Sequence, residues 1–187
     1  MSTDYPLLRE CYLSSTVKDR NGYNYFQNPI SDGVPSVDPA VLNETADGII
    51  SLSKGDFDMI LAPEAMGIPL GTAISLKTGK PFSVVRKKSY GLPGEIKLTQ
   101  KTGYSHSKMF LNGVRPGMKV MIVDDVVDTG GTLVAIAEAV RKAGGEVAEI
   151  ITAYSMPEDL SELSARAGAP IKSLLSIGLD GTKPFIR

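Results

Sequence analysis

The stretch VMIVDDVVDTGGTL, residues 120–133, joins an apolar run to two adjacent carboxylates and then to a loop of small residues. The apolar run predicts a buried strand, and the apolar positions after Thr132 predict a helix. In an open α/β sheet, ligands bind beyond the carboxyl ends of the strands. We therefore predict a strand-loop-helix unit whose binding site includes Asp124 and Asp125.

The loop DTGGT, residues 128–132, has the composition of a phosphate-binding turn. Gly130 and Gly131 lack side chains, so backbone N–H groups can converge there, and Thr129 and Thr132 add hydroxyl donors. The helix that follows directs the positive end of its dipole at the same place. The spacing differs from the nucleotide-binding loops GxxxxGK and GxGxxG. Because carboxylates repel phosphate but accept hydrogen bonds from vicinal hydroxyls, the combination predicts a ribose 5-phosphate ligand.

Strands and helices alternate along most of the chain. Apolar runs bounded by Gly, Pro and charged residues predict strands, and apolar positions at helical spacing predict helices between them. Strands separated by helices of this length form βαβ units, which place helices on both faces of a parallel sheet. The predicted fold class is therefore α/β, with strands at 58–63, 81–87, 119–125, 146–155 and 172–177 and helices at 40–52, 68–77, 132–143 and 158–167.

Two segments depart from this alternation. The N-terminal segment, residues 1–37, combines a short predicted helix at 6–14 with an Asn21-Gly22 turn, and this dipeptide favours a hairpin because it tolerates positive φ. Residues 89–112 are rich in Gly, Lys, Ser and Thr without a helical period, which is typical of a long excursion. A chain of 187 residues fits one domain. We predict one domain over 1–187 with a small N-terminal hood at 1–37 and a flexible flap with some strand character at 89–112.

Composition excludes several classes of protein. The net charge of -1 argues against a nucleic acid or an anionic membrane as a partner. No apolar run approaches the roughly 18 residues of a membrane span. Cys11 is the only cysteine, which excludes an intrachain disulfide, and polar residues follow Met1 instead of a signal peptide. These features predict a cytoplasmic protein.

Several motifs resemble those of one known family. VMIVDDVVDTGGTL resembles the phosphoribosyl-pyrophosphate signature of the type I phosphoribosyltransferases. The segment APEAMGIPLGTAISLKTG, residues 62–79, resembles their pyrophosphate loop and its helix. VVRKKSYGLPGE (84–95) resembles the segment of adenine and xanthine phosphoribosyltransferases between a core strand and the flap. The resemblance is closest to the archaeal hypoxanthine/guanine (adenine-type) phosphoribosyltransferases, on YFQNPISDGVP (25–35), EAMGIP (64–69), SLKTG (75–79) with PF (81–82), YGLPGE (90–95) and TGYS (102–105).

The resemblance implies a Rossmann-like type I phosphoribosyltransferase fold and a reaction in which a purine base displaces pyrophosphate from C1 of phosphoribosyl pyrophosphate. Positive charge then develops on the ribose and negative charge on the leaving group. Asp124 and Asp125 are expected to accept from the 2- and 3-hydroxyls. Mg²⁺ is expected as a cofactor held mainly by substrate oxygens, with no dedicated protein ligands. The 5-phosphate would be held by Asp128, Thr129, Gly130, Gly131 and Thr132.

The resemblance also implies where pyrophosphate binds. Backbone amides of the EAMG loop, residues 64–67, would contact the leaving group across a cis peptide at Glu64-Ala65. Met66 stands where adenine enzymes usually carry an arginine. A plain turn and a solvated basic strand end are the alternatives for these two segments. The expected pyrophosphate-binding residues are Glu64, Ala65, Met66 and Gly67 in the EAMG loop and the cations Arg86, Lys87 and Lys88.

Asp128 bears on the identity of the base. Hypoxanthine-guanine enzymes carry an acid in this position of the loop, thought to act at N7 of the purine, whereas adenine enzymes generally have a small residue. Asp128 is therefore assigned a catalytic role alongside Asp124 and Asp125, and 6-oxopurines are favoured as acceptors. A helix cap formed by Asp128 or Thr129 is the alternative.

The base itself needs apolar surfaces on both sides. Val126 or Val127 is predicted below it and Tyr25 or Phe26 above it, with ordinary core packing as the alternative for all four. Flap residues Tyr104 and Ser105 are expected to close over the substrate and exclude water.

The predicted function is purine salvage, forming IMP or GMP from hypoxanthine or guanine. An adenine enzyme forming AMP is the first alternative, and a non-catalytic regulator that binds phosphoribosyl pyrophosphate or a nucleotide is the second. Orotate fits poorly because the 86–95 and 128–132 segments are purine-type. A homodimer is expected by analogy, since relatives share sites across a dimer near Arg86, Lys87 and Lys88.

Overall fold

A computed structural model describes residues 4–20, 22–102 and 105–187 of the chain. In the N-terminal segment, β1 and β2 pair antiparallel with Val17 opposite Phe26, so the predicted hairpin is confirmed. Asn21 of its turn lies outside the described residues. The elements of this segment are α1 (Pro6–Leu13), β1 (Thr16–Arg20), β2 (Tyr23–Gln27) and α2 (Pro29–Asp32).

The predicted α/β alternation follows the hood. Asp38 caps the first long helix by accepting from the Ala40 N–H at 2.7 Å, and Pro39 opens its first turn, a pair of residues typical of a helix start. In chain order the elements are α3 (Pro39–Leu52), β3 (Met59–Pro63), α4 (Gly67–Thr78), β4 (Phe82–Val85), β5 (Ile96–Thr102), β6 (Ser105–Leu111), β7 (Lys119–Val127), α5 (Gly131–Lys142), β8 (Glu146–Ser155), α6 (Ser161–Ala167), β9 (Ile171–Asp180) and β10 (Lys183–Ile186).

The central sheet has six strands in the order β10-β9-β8-β7-β3-β4. Five of them are parallel, which confirms the predicted βαβ units, while β10 pairs antiparallel with β9. Strand β10 was not predicted, since the last predicted strand is at 172–177, and a four-residue segment that contains Pro184 lacks a strand pattern. Proline is tolerated at this edge, where one side of the strand needs no partner.

Two strand boundaries differ from the prediction in ways that affect the site, while the flap has the strand character that was predicted. Strand β7 continues to Val127, so Asp124 and Asp125 lie within the strand, near its carboxyl end, instead of at its last two positions. Strand β4 ends at Val85, and Arg86 forms only an isolated bridge to Phe110. The predicted flap at 89–112 contains an antiparallel hairpin of β5 and β6, whose base packs on α5.

Apolar side chains cover both faces of the sheet, as expected for an α/β fold. Helix α4 approaches the sheet closely because it begins with glycine. A Cβ on Gly67 would lie 2.8 Å from the backbone oxygen of Val123 in β7. The EAMG loop is therefore pressed against the strand that carries the two aspartates. No helix among the described residues is long and apolar enough to span a membrane.

An ion pair with a buried carboxylate, near the amino ends of β8 and β9, supplies a test of the fold. Glu149 on β8 is 2% exposed and lies 3.0 Å from Lys172 Nζ on β9. It also accepts hydrogen bonds from the Ser53 hydroxyl and the Lys54 N–H. Glu149→Ala removes the acceptor of these hydrogen bonds and leaves Lys172 Nζ with the Leu52 carbonyl alone, so we expect it to lower the free energy of unfolding by about 3 kcal/mol in urea titrations.

The matched control for this variant is the exposed pair between Lys119 and Asp56 on the surface. Solvent screens an exposed pair, so Asp56→Ala should leave the urea midpoint almost unchanged. Equal effects of the two substitutions would contradict a structural role for buried Glu149.

Candidate active site

The DTGGT loop forms a pocket at the carboxyl edge of the sheet. The pocket has a volume of about 190 Å³. Gly130 is the N-cap of α5 and has a φ of +71°, so the cap position carries no side chain. Asp128 and Thr129 precede this N-cap position in the loop. The pocket is lined by Asp124, Val126, Val127, Asp128, Thr129, Gly130, Gly131, Thr132 and Leu133.

A second helix supports this loop from behind. A Cβ on Gly130 would lie 2.7 Å from Cδ2 of Leu163 in α6, and Leu163 is itself buried. The positive φ and the close approach both favour glycine at this position. Because α5 starts at Gly131, its positive dipole end and the N–H groups of its first turn lie at the pocket. The pocket is therefore suited to an anion.

Two adjacent aspartates, Asp124 and Asp125, lie beside this pocket in surroundings that disfavour their ionised forms. The Asp125 N–H donates to Asp124 Oδ1 at 3.0 Å, and Asp125 is only 9% exposed. Burial raises the pKa of Asp124 to about 6. Burial and the neighbouring Asp124 carboxylate raise the pKa of Asp125 well above its usual value. A ligand that supplies hydroxyl donors or positive charge would relieve the cost of ionising both groups.

The EAMG loop lies on the neighbouring strand. Strand β3 is between β4 and β7, so the loop that follows β3 opens at the same edge as the DTGGT loop. The Glu64-Ala65 peptide bond is cis, as predicted. The structure thus brings the predicted pyrophosphate and phosphate segments together, with the two aspartates between them.

The predicted cations follow the next strand along the sheet. Arg86 Nε and Glu64 Oε2 form an ion pair at 2.9 Å, and neither atom has a hydrogen-bond partner among the described residues. The Arg86 guanidinium also lies 5.9 Å from the ring centroid of Tyr90. Lys87 and Lys88 are exposed. One of the three cations is therefore already paired within the site.

The four candidate base contacts divide into two groups. Phe26 is 7% exposed and meets Tyr12 edge-on at 5.3 Å between ring centroids. Val127 is also buried, so the core-packing alternative describes both residues. The Tyr25 hydroxyl donates to Asp32 at 2.5 Å, and Val126 is partly exposed. Tyr25 and Val126 remain as predicted contacts to the base.

The predicted contacts of the two flap residues stay predictions. Tyr104 and the side chain of Ser105 lie outside the described residues. The base of the hairpin is described, and its residues Leu98, Met109 and Leu111 are buried in the same core as α5.

The sequence interpretation missed the residue that anchors the hood. Asn28 is fully buried, and its amide donates to Cys11 O, Ser15 Oγ and Tyr154 OH at 3.1–3.3 Å. Its Oδ1 accepts from the Ile30 N–H and so caps α2. Asn followed by Pro is an N-cap signal that could have located this residue. Because Tyr154 lies opposite Val126 in the sheet, the anchor fixes the hood next to the pocket.

Comparison with known proteins decides the family. The model of the phosphoribosyl transferase domain family matches residues 40–169, which span the EAMG loop, both aspartates and the DTGGT loop. The chain belongs to the phosphoribosyltransferase family. The hypoxanthine/guanine phosphoribosyltransferase of Methanohalophilus mahii is 44% identical over 173 residues, covering 92% of this chain and 90% of that relative. The protein of the same name from Methanohalobium evestigatum is 45% identical over 181 residues, covering 97% and 94%.

Solved phosphoribosyltransferases share the fold. The adenine phosphoribosyltransferase of Thermoanaerobacter pseudethanolicus superposes with a TM-score of 0.73 at 27% identity, covering 90% of this chain and 99% of that one. The adenine phosphoribosyltransferase of Saccharomyces cerevisiae, complexed with an imino-altritol bisphosphate and adenine, has a TM-score of 0.73 at 24% identity, covering 93% and 100%. The predicted type I phosphoribosyltransferase fold is confirmed.

Proposed function

We propose that this protein is a purine phosphoribosyltransferase that transfers the 5-phosphoribosyl group of phosphoribosyl pyrophosphate to hypoxanthine or guanine. Pyrophosphate leaves, and IMP or GMP forms. The observation that carries the proposal is the close packing of Gly67 against Val123, which sets the EAMG loop beside Asp124, Asp125 and the DTGGT pocket. The names of the archaeal relatives support the choice of base.

In this proposal N–H groups and cations hold the two anionic ends of the substrate, and carboxylates hold the ribose between them. The DTGGT loop binds the 5-phosphate through N–H groups at the start of α5. The aspartates accept from the ribose hydroxyls, and their negative charge favours the cation that develops on the sugar. Arg86, Lys87 and Lys88 balance the charge of the leaving pyrophosphate. Because Glu64 is 2.9 Å from Arg86, pyrophosphate must share this guanidinium with a carboxylate.

Mg²⁺ is part of the proposal as a cofactor. The described residues contain no cluster of three or more His, Cys, Asp or Glu side chains placed to hold a metal. Asp124 and Asp125 lie beside the pocket, and two carboxylates next to substrate oxygens fit an ion held mainly by the substrate, with neither aspartate as a dedicated ligand. When bound, Mg²⁺ would neutralise charge on the pyrophosphate.

We further propose that Asp128 handles a proton on the purine. Asp128 is exposed at the mouth of the pocket, within reach of a ligand above the DTGGT loop. Loss of a general acid or base typically costs 10² to 10⁴ in rate, so Asp128→Asn should lower kcat with hypoxanthine about 100-fold. The KM for phosphoribosyl pyrophosphate should change little. If instead that KM rises and kcat is retained, Asp128 contributes to phosphate binding alone.

A competition between bases tests the specificity. Equal concentrations of adenine and hypoxanthine, at fixed phosphoribosyl pyrophosphate and Mg²⁺, should yield mostly IMP in a chromatographic assay of products. If AMP is the main product, the adenine alternative replaces this proposal. It is the main competing function because solved adenine phosphoribosyltransferases share the fold.

We also propose that the protein is a homodimer and that it is cytoplasmic. Sedimentation tests the first of these proposals, and cell fractionation tests the second.

A further inference from the structure

The loop between β4 and the flap hairpin is organised by a single carboxylate. Glu95 Oε1 accepts from Ser89 Oγ at 2.5 Å, and Oε2 accepts from the Tyr90 N–H at 3.0 Å. The Gly91 N–H lies 3.4 Å from Oε1. These hydrogen bonds fold residues 89–95 around the Glu95 side chain. A loop with no helix or strand of its own thereby receives a defined conformation.

The same carboxylate joins the two ends of the hairpin. Glu95 immediately precedes β5, and Asn112 immediately follows β6. Asn112 Nδ2 donates to Glu95 Oε2 at 3.0 Å, and the Asn112 carbonyl accepts from Ser83 Oγ of β4 at 3.0 Å. Glu95 therefore links the loop, the hairpin base and the edge strand of the sheet.

A continuous series of contacts leads from Glu95 to the EAMG loop. The Tyr90 backbone is bound by Glu95, its ring lies 5.9 Å from the Arg86 guanidinium, and Arg86 Nε lies 2.9 Å from Glu64. Lys87 and Lys88 are in the short connection between Arg86 and the part of the loop that Glu95 binds. The position of all three cations thus depends on the conformation of the loop.

We propose that Glu95 is a positioning residue for pyrophosphate binding, which holds the 86–91 segment so that its cations face the leaving group. This inference rests on the proposed transferase function, because it concerns the pyrophosphate end of the same site. Glu95 touches no substrate in this role. The hydrogen bonds from Ser89 and Tyr90 lower the pKa of Glu95 to about 2, so the carboxylate is ionised at neutral pH.

Steady-state kinetics of Glu95→Ala test the inference. A misplaced binding group typically costs an order of magnitude or more, so the KM for phosphoribosyl pyrophosphate should rise about 10-fold. The KM for pyrophosphate in the reverse reaction should rise in parallel. The KM for the purine and kcat should change less than twofold. The control is Glu138→Gln, which removes an exposed carboxylate on α5 and should leave every constant unchanged.

A pair of variants guards against simple loss of folding. In Glu95→Gln the side-chain carbonyl can take the place of Oε2 and accept from the Tyr90 N–H and Asn112 Nδ2, while the amide takes the place of Oε1 and donates to the Ser89 hydroxyl. Glu95→Gln should therefore retain most of the affinity for phosphoribosyl pyrophosphate. Asn112→Asp places two carboxylates together and should raise that KM.

The outcomes separate this inference from the proposed function. An active wild-type enzyme whose Glu95→Ala variant keeps its KM values would overturn the positioning role and leave the transferase function intact. Equal loss of kcat and of affinity for both substrates, without rescue by Glu95→Gln, would indicate a role in folding and overturn it too. A wild-type protein that turns over no purine would contradict the transferase function itself.

Discussion

Replacing Asp125 with asparagine is expected to lower kcat/KM for phosphoribosyl pyrophosphate by about 10²- to 10³-fold, because it removes a preorganised charge from the site where a cation develops. Asparagine keeps the size of the side chain and one acceptor oxygen, so the fold should persist. The measurement is the initial rate of nucleotide formation at saturating purine and Mg²⁺. Asp124→Asn should have an effect of similar size.

The same substitution should make the ligand-free protein more stable at neutral pH. Burial raises the native-state pKa of Asp124 to about 6, above its value in the unfolded chain, and raises that of Asp125 as well. A raised native-state pKa means that the wild type loses stability as the pH rises through it. We expect Asp125→Asn to gain about 1 to 3 kcal/mol over the wild type at pH 8 in urea titrations.

The pH dependence distinguishes this explanation from a general packing effect. Near pH 4 the wild-type carboxyls are protonated, and the stability difference should nearly vanish. If Asp125→Asn is inactive and also less stable than the wild type at every pH, the Asp125 carboxylate stabilises the fold. That result would contradict the expectation that its charge lowers the stability of the ligand-free protein.

Replacing Gly130 with alanine is expected to raise the KM for phosphoribosyl pyrophosphate at least about 10-fold, because the loop must move to admit the side chain. Two causes act together. The φ of +71° is unfavourable for alanine, and the new Cβ would lie 2.7 Å from Leu163 Cδ2. Both displace the N–H groups that are proposed to hold the 5-phosphate. Initial rates at varied phosphoribosyl pyrophosphate measure the effect.

Gly117→Ala is the matched control for backbone strain. Gly117 has a φ of +80°, a Cβ added there would meet no atom within 4 Å, and the residue lies in the turn before β7, at the opposite edge of the sheet. Alanine in a left-handed conformation costs about 1 kcal/mol, so both variants should lose some stability. Only Gly130→Ala should lose affinity for substrate. Equal KM values in the two variants would contradict a phosphate site at the DTGGT loop.

Local patterns made much of the fold predictable. The apolar run before Asp124 and the glycines after it indicate a strand-loop-helix unit without any information from distant residues. The Asp38-Pro39 pair likewise marks the start of α3, because its cap is formed by neighbours in sequence. Strand β10 was missed since its only support comes from pairing with β9, and such pairing leaves no pattern in four residues.

Parts of the site depend on contacts between distant elements, and these were not predictable. A period-two pattern places Tyr25 and Phe26 on opposite faces of a strand but does not say which face is buried. Packing against Tyr12 and Tyr154 buries Phe26. The ion pair between Glu64 and Arg86 likewise requires that β3 and β4 be neighbours. Residue types therefore indicated the chemistry, while tertiary packing decided which side chains are available for it.

The most direct test is the initial rate of pyrophosphate release with phosphoribosyl pyrophosphate, Mg²⁺ and each of four purines: hypoxanthine, guanine, adenine and xanthine. We expect pyrophosphate release to be much faster with hypoxanthine and guanine than with adenine and xanthine. One molecule of IMP or GMP should form for each pyrophosphate released. Faster release with adenine would contradict the proposed base specificity. No release with any of the four, despite binding of phosphoribosyl pyrophosphate, would contradict the proposed transferase activity.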